Sequence, residues 1–297
     1  MLWLFIIILS YLFFGLAFFG DKLILAGPPN SKLYTFYVGA LSILVVFFIP
    51  FTTFGFPNIT GLLWIILEAI VYMLGLYAMF FALEKFDVSR VMTTIGAIQP
   101  VIILILTWIF WGTVITGINF LAFVFLLVGS IIISTEKKYK ITNDYLLLVL
   151  LSSLLFSLDY VFSKLVFSQQ PFLQGLIWMR IFSFLFALFF LFDKSLRKQI
   201  FSKKKVVNKK TGLLFFFTQS AGGLANILQS FAISLVPISY LAIISSLRGI
   251  QYVFLFLITL FFSFFFPVIF KEDISKKVII QKTIAIVLIV SGLAILI

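Results

Sequence analysis

The chain has 297 residues, 63% of them hydrophobic and only 11% charged, with a mean hydropathy of +1.24. A soluble domain averages about 45–50% apolar and about 25% charged residues, so water is excluded as the main solvent and lipid takes its place. Histidine and cysteine are both absent, which excludes disulfides, thiolate nucleophiles, Ser-His-Asp triads and the usual zinc and haem sites. The net charge of +12 is confined to connections between apolar runs, as in a membrane protein that obeys the positive-inside rule. Neither a nucleic-acid partner nor a cofactor is expected.

A membrane-spanning helix needs about 20 apolar residues, because about 30 Å of hydrocarbon is crossed at 1.5 Å per residue. Ten segments meet that need: 2–20, 33–54, 60–83, 88–111, 115–134, 145–167, 173–192, 212–235, 238–268 and 278–297. The first lacks the basic flank of a signal peptide and is read as a retained helix. The ninth is longer than one crossing requires, which predicts a kink or a protrusion. The runs are continuous rather than alternating, so helices and not barrel strands are predicted. Gly27-Pro28-Pro29-Asn30 and Gly55-Phe56-Pro57-Asn58 supply turn chemistry between spans. The longest polar stretch, 193–211, holds eight Lys or Arg and reads as a cytoplasmic loop in reach of lipid headgroups.

The chain also repeats itself. Residues 14–25 align with 156–167, each stretch carrying a Lys near its end (Lys22 and Lys164), and the same offset pairs Pro29 with Pro171. Thr60-Gly61-Leu62-Leu63 matches Thr211-Gly212-Leu213-Leu214, Phe81-Ala82-Leu83 matches Phe231-Ala232-Ile233, and Gly129 matches Gly292. Four matches in order are hard to attribute to composition. Five helices per repeat is an odd number, so the second copy enters the membrane from the opposite side. The expected fold is therefore all-α and integral to the membrane: ten transmembrane helices as two inverted five-helix repeats, 1–140 and 141–297. That architecture is common where two halves rock about a midplane site.

Lys and Arg concentrate in the odd-numbered loops, which places those loops in the cytoplasm and both termini outside. Charges inside spans are costly and face the bundle interior. Four stand out: Glu68, Asp159, Arg180 and Arg248. Their charges sum to zero, so they serve either as structural ion pairs or as groups lining a solute path. The repeat offset equates Glu68 with Gln219, whereas Asp159 and Arg180 correspond to apolar Ala17 and Val38. Arg248 corresponds to Ile98, beside Gln99. Gln219, Gly222, Asn226 and Gln229 follow spacings of three, four and three and share one helical face. That face either lines a cavity or makes interhelical hydrogen bonds. Glu68, Gln99, Gln219, Asn226, Gln229 and Arg248 are the candidate substrate contacts. Asp159 and Arg180 are the candidate coupling groups or structural ion pairs. Pro100 lies within the fourth span and frees a backbone carbonyl.

With a Lys ending the first helix of each repeat, an Arg in the next (Arg180), the Phe-Ala-Leu/Ile runs, Pro100 and the closing Gly129 and Gly292 helices, the chain resembles the drug/metabolite transporter superfamily, specifically its EamA-like ten-helix branch. Glu272 fits the acidic position such proteins show before a repeat's last helix. The first repeat has Trp111-Gly112-Thr113 there and no acid, and Ile250 replaces a second Pro. The resemblance implies two EamA-like repeats and export or exchange of a small metabolite or drug by alternating access. It also implies cytoplasmic termini, opposite to the charge count. A small solute and membrane lipids are the expected partners, with a homodimer left open and the cell membrane as the location. The competing readings are a membrane-embedded lipid-modifying enzyme, for which no paired-acid motif is visible, and a non-transporting scaffold.

Overall fold

The computed structural model describes residues 2–24, 30–86, 88–134, 142–201, 209–265 and 276–297. The turn at 27–29, Lys137, Lys138, Lys140 and Glu272 lie outside them. Every regular element among the described residues is helical. In chain order these are α1 (Leu2–Ile24), α2 (Ser31–Leu41, continued as a 3₁₀ run Ser42–Phe51), α3 (Ile59–Lys85) and α4 (Val88–Trp111). Then come α5 (Gly117–Ser134), α6 (Asn143–Gln169), α7 (Phe172–Phe189, with a 3₁₀ turn Phe190–Phe192) and α8 (Lys194–Ile200). The chain ends with α9 (Lys209–Leu235), a 3₁₀ turn Ile238–Tyr240, α10 (Leu241–Ser246), α11 (Gly249–Phe265) and α12 (Lys276–Leu296). Among the described residues, eight helical segments are long and apolar enough to cross a membrane, and Gly117–Ile133 is a shorter apolar helix.

Local chemistry sets several of these ends. Asn30, Asn58 and Thr142 each accept from a backbone N–H three residues on, capping α2, α3 and α6. Pro171 precedes the first residue of α7, where its missing N–H costs no hydrogen bond. Gly112 and Gly117 bracket the turn between α4 and α5 with φ of 62° and 58°, a region that side chains with a Cβ avoid.

The two faces of α6 are reversed relative to a helix of a soluble protein. On α6, Leu147, Leu150, Leu151 and Leu154 are exposed, while Ser152, Ser153 and Ser157 are fully buried. Each of those serines donates to the carbonyl four residues back, so its hydroxyl is satisfied without water. Exposed leucine outside and satisfied serine inside is the pattern lipid selects.

The chain forms two compact units. One comprises residues 1–26, 92–139 and 209–297, the other 27–91 and 140–208, so each draws helices from both sequence halves. In the first unit α1 packs along α9, α5 packs along α12, and α11 lies against α1 and α5. Gly129 meets Ala285 and Ile289 of α12, and Gly292 reciprocally meets Ala122 and Leu126 of α5. Glycine at both points lets the two backbones approach closely. In the second unit α3 packs along α6, and α7 lies against α3 and α2. In both units, then, the first helix of one sequence half lies along the third helix of the other.

Candidate functional site

In the second unit the buried charges come together. Arg180 of α7 donates from Nη2 to Oε1 of Glu68 on α3, 2.9 Å away. Glu68 is fully buried and the Arg180 side chain is 8% exposed. The Arg180 guanidinium lies 4.2 Å from the centroid of the Tyr72 ring, a cation–π contact in a desolvated setting. Glu68 and Tyr72 are four residues apart and share a face of α3. Asp159 on α6 is close enough to interact with Glu68, Tyr72 and Arg180. Glu68, Asp159 and Arg180 are therefore one cluster of two carboxylates and one guanidinium on three helices, rather than separate pairs. Oε2 of Glu68 and Nε and Nη1 of Arg180 have no hydrogen-bond partner. Buried polar atoms normally find one, and here Asp159 stands beside Glu68 and Tyr72 beside Arg180.

In the first unit the feature is a broken helix. The ninth apolar segment is helical over α10 and again over α11, with a tight turn at Leu247 and Arg248. Across the break the hydrogen bonds run from Arg248 N–H to the Ser245 carbonyl, from Ile250 to Leu247 and from Gln251 to Arg248, at 3.2, 2.9 and 3.0 Å. These are the i→i+3 bonds of a 3₁₀ turn, and they release carbonyls that an α-helix would have used. Two of those carbonyls are taken by side chains of other helices. The Tyr11 hydroxyl on α1 donates to the Ile244 carbonyl at 2.7 Å, and the Ser130 hydroxyl on α5 donates to the Ser246 carbonyl at 3.2 Å. Non-helical backbone at membrane depth persists only with such substitutes.

Arg248 sits at this break and runs over α4 at Gly96, where an added Cβ would stand 3.0 Å from Arg248 Cδ and would collide with the Tyr252 hydroxyl. Tyr252 donates to the Met92 carbonyl at 2.8 Å. Pro100, four residues after Gly96, has no N–H for the Gly96 carbonyl, so α4 also carries a released carbonyl at the crossing. Gln99 is fully buried three residues beyond Gly96, on the same face of α4. On α9, Gln219 and Asn226 are half-buried and Gln229 is buried with its Nε2 unpaired. Ser10 of α1 donates to the Ala225 carbonyl at 2.7 Å, which fixes α9 in rotation.

The eight sequence candidates thus fall into two sets: Glu68, Asp159 and Arg180 in one unit, Gln99, Gln219, Asn226, Gln229 and Arg248 in the other. Glu68, a candidate substrate contact by sequence, is the ion-pair partner of Arg180. Tyr72, Gly96, Tyr11, Ser130 and Tyr252 complete the two sets and were not singled out from sequence. Two had a signal: Tyr72 lies one turn from Glu68, and Gly96 is the carbonyl that Pro100 strands. The other three had none, since their partners are far away in the chain. A recess of about 270 Å³, lined by Asn30, Ser31, Lys32, Glu84, Asp193 and Ser195 among others, lies about 24 Å along α3 from Glu68 at 1.5 Å per residue. The Lys32–Asp193 ion pair is part of its lining. That ammonium and the Leu196 and Ser195 amides hold the Asp193 carboxyl below the usual carboxylate range.

Among the described residues, eight apolar helices and charges buried between helices mark a multi-pass membrane protein. Residues 1–135 match the family model of the EamA-like transporter family, so that region is similar to EamA-like transporters. A solved crystal structure of another protein resembles it with a TM-score of 0.66 at 15% sequence identity, covering 99% of this chain and 95% of that one. Identity that low shows a shared fold alone. Among curated proteins none matches the sequence.

Proposed function

We propose that this protein is a secondary transporter, an exporter or exchanger, of a small metabolite or drug in the cell membrane. It crosses ten times, α5 and α9 included, as two inverted repeats of residues 1–140 and 141–297, and works by alternating access. The observation that carries the reading is the broken helix at Arg248. A helix that gives up its α-helical ladder inside an apolar span, with its released carbonyls held by Tyr11 and Ser130, is the construction transporters use for solute sites. Arg248, Gln99 and the α9 amides Gln219, Asn226 and Gln229 contact the solute. Within the second unit, taken by itself, Glu68 keeps the role of a solute contact.

Glu68 and Asp159 supply a proton-coupling element. Glu68, buried, and Asp159, half-buried, both interact with the Arg180 guanidinium, so a proton on one carboxylate neutralises the cluster and solute movement can follow the proton. The EamA-like match over residues 1–135 supports transport over a lipid-modifying enzyme or a scaffold.

The test is counterflow in liposomes holding the purified protein, across radiolabelled amino acids, nucleosides and cationic drugs, with Glu68→Gln and Arg248→Ala beside the unsubstituted chain. Exchange lost in Arg248→Ala with the fold intact supports the site at the break. Exchange untouched by both substitutions sinks it. A rate flat across pH removes the proton element while leaving the solute site standing.

A further inference from the structure

We propose that α8 is a membrane-surface helix whose basic face binds the headgroups of anionic phospholipids. At 100° per residue, Lys194, Arg197, Lys198 and Phe201 fall on one side of α8, and Leu196, Gln199 and Ile200 fall on the other. The second side is fixed to the protein. Leu196 is buried, the Asn30 amide donates to Gln199 Oε1 at 3.1 Å, and Asp193 caps the helix while pairing with Lys32. The first side is left outward. Lys194, Arg197 and Lys198 are exposed, Phe201 is 72% exposed, and the four line a shallow recess of about 350 Å³.

Among the described residues no acid pairs with these cations. Between 193 and 211 the sequence has eight Lys or Arg and one carboxylate, Asp193, which is already engaged by Lys32. The helix also starts directly after the apolar span Phe172–Phe192, so its place along the chain is at a membrane surface. A phosphodiester between three cations, with the Phe201 ring in the acyl boundary, satisfies both the charge and the exposed aromatic. Zwitterionic lipid would satisfy only the ring. This assignment is independent of which solute is moved, or whether any is.

The chain has no cysteine, so Phe201→Cys carrying a bimane label reports from this face without background. In vesicles doped with brominated phosphatidylglycerol or brominated phosphatidylcholine, the anionic lipid should quench at least about tenfold more effectively per mole at 50 mM salt. That expectation is conservative for three cations worth about fivefold each near an anionic surface. Lys194→Gln/Arg197→Gln/Lys198→Gln together should reduce the preference to within about twofold, whereas Lys194→Arg/Lys198→Arg should keep it and show that α8 still docks. Equal quenching by the two lipids overturns the proposal. A preference that survives the triple substitution overturns it too, because the attraction then comes from elsewhere in the basic stretch.

Discussion

Two helix pairs that the internal repeat equates, α1 with α9 and α6 with α3, are built from different chemistry. Along α1 and α9 the polar contacts are neutral: Ser10 donates to the Ala225 carbonyl, and Gly20 leaves room for Thr218. Along α6 and α3 the equivalent surfaces hold Asp159 and Glu68, with Arg180 arriving from α7. Ala17 and Gln219 of the first unit stand where the second has Asp159 and Glu68. The same arrangement of helices therefore tolerates a charged centre in one unit and a backbone-carbonyl centre in the other. What fixes the geometry is the packing of small residues and hydroxyls, and the charges are an addition to it.

If so, disturbing the two centres should give effects of different size. The largest belongs to Glu68→Gln, which removes the 2.9 Å partner of Arg180 and leaves Asp159 as the carboxylate still interacting with it. Breaking a buried pair from one side costs about 3–5 kcal/mol, readable as a fall in unfolding midpoint in detergent. The double substitution Glu68→Met/Arg180→Met should recover only part of that stability, because Asp159 then loses its guanidinium, and should lose exchange. If exchange survives in the double variant, the cluster is purely structural and the contrast between the units is one of packing alone.

Next comes Gly96→Val, which pushes Arg248 and Tyr252 off α4 and should cost about 1–3 kcal/mol as overpacking. It should also change counterflow affinity, because Arg248 moves. An unchanged affinity would detach the break from the solute site. Tyr11→Phe should cost a similar or smaller amount, about 1–3 kcal/mol, since the Ile244 carbonyl loses its donor inside the membrane. Ser130→Ala should cost less, about 1 kcal/mol, because Ser130 divides its hydroxyl between Ser246 and Leu126. Equal losses at the two positions would mean that the break is not held as described.

The smallest effect concerns the docking of α8. Asp193 has a depressed pKa when paired with Lys32, so its contribution is present above the unfolded value. It is lost as pH falls through the folded value, below the ordinary 3.8. Hydrogen exchange of the α8 amides should stay constant from neutral pH down to about that value and accelerate below it, once corrected for intrinsic rates. Asp193→Asn should abolish this step.

Much of the architecture was legible in the sequence, because lipid imposes it directly. An uninterrupted apolar run has one satisfactory backbone state in hydrocarbon, the helix, so span positions follow from composition and the caps at Asn30, Asn58 and Thr142 follow from local hydrogen bonding. Glu68, Asp159, Arg180 and Arg248 were visible for the same reason, since a charge within an apolar run is conspicuous. The extra length of the ninth segment signalled an irregularity, and the helix proved to be broken at Leu247 and Arg248.

Which charges meet was not legible. Glu68 and Arg180 are 112 residues apart, and periodicity says which face a side chain occupies but not which helix lies across from it. The same holds for Tyr11, whose hydroxyl serves a carbonyl 233 residues away. The sequence by itself determined the solvent, the helices and their number of polar interruptions, because these follow from burial and local hydrogen bonding. The tertiary structure alone decided that three charges form one cluster, and that two released carbonyls of a broken helix are met by Tyr11 and Ser130. The physical reason is that such contacts depend on the mutual rotation of helices, set by the sum of many small packing terms that no local pattern encodes.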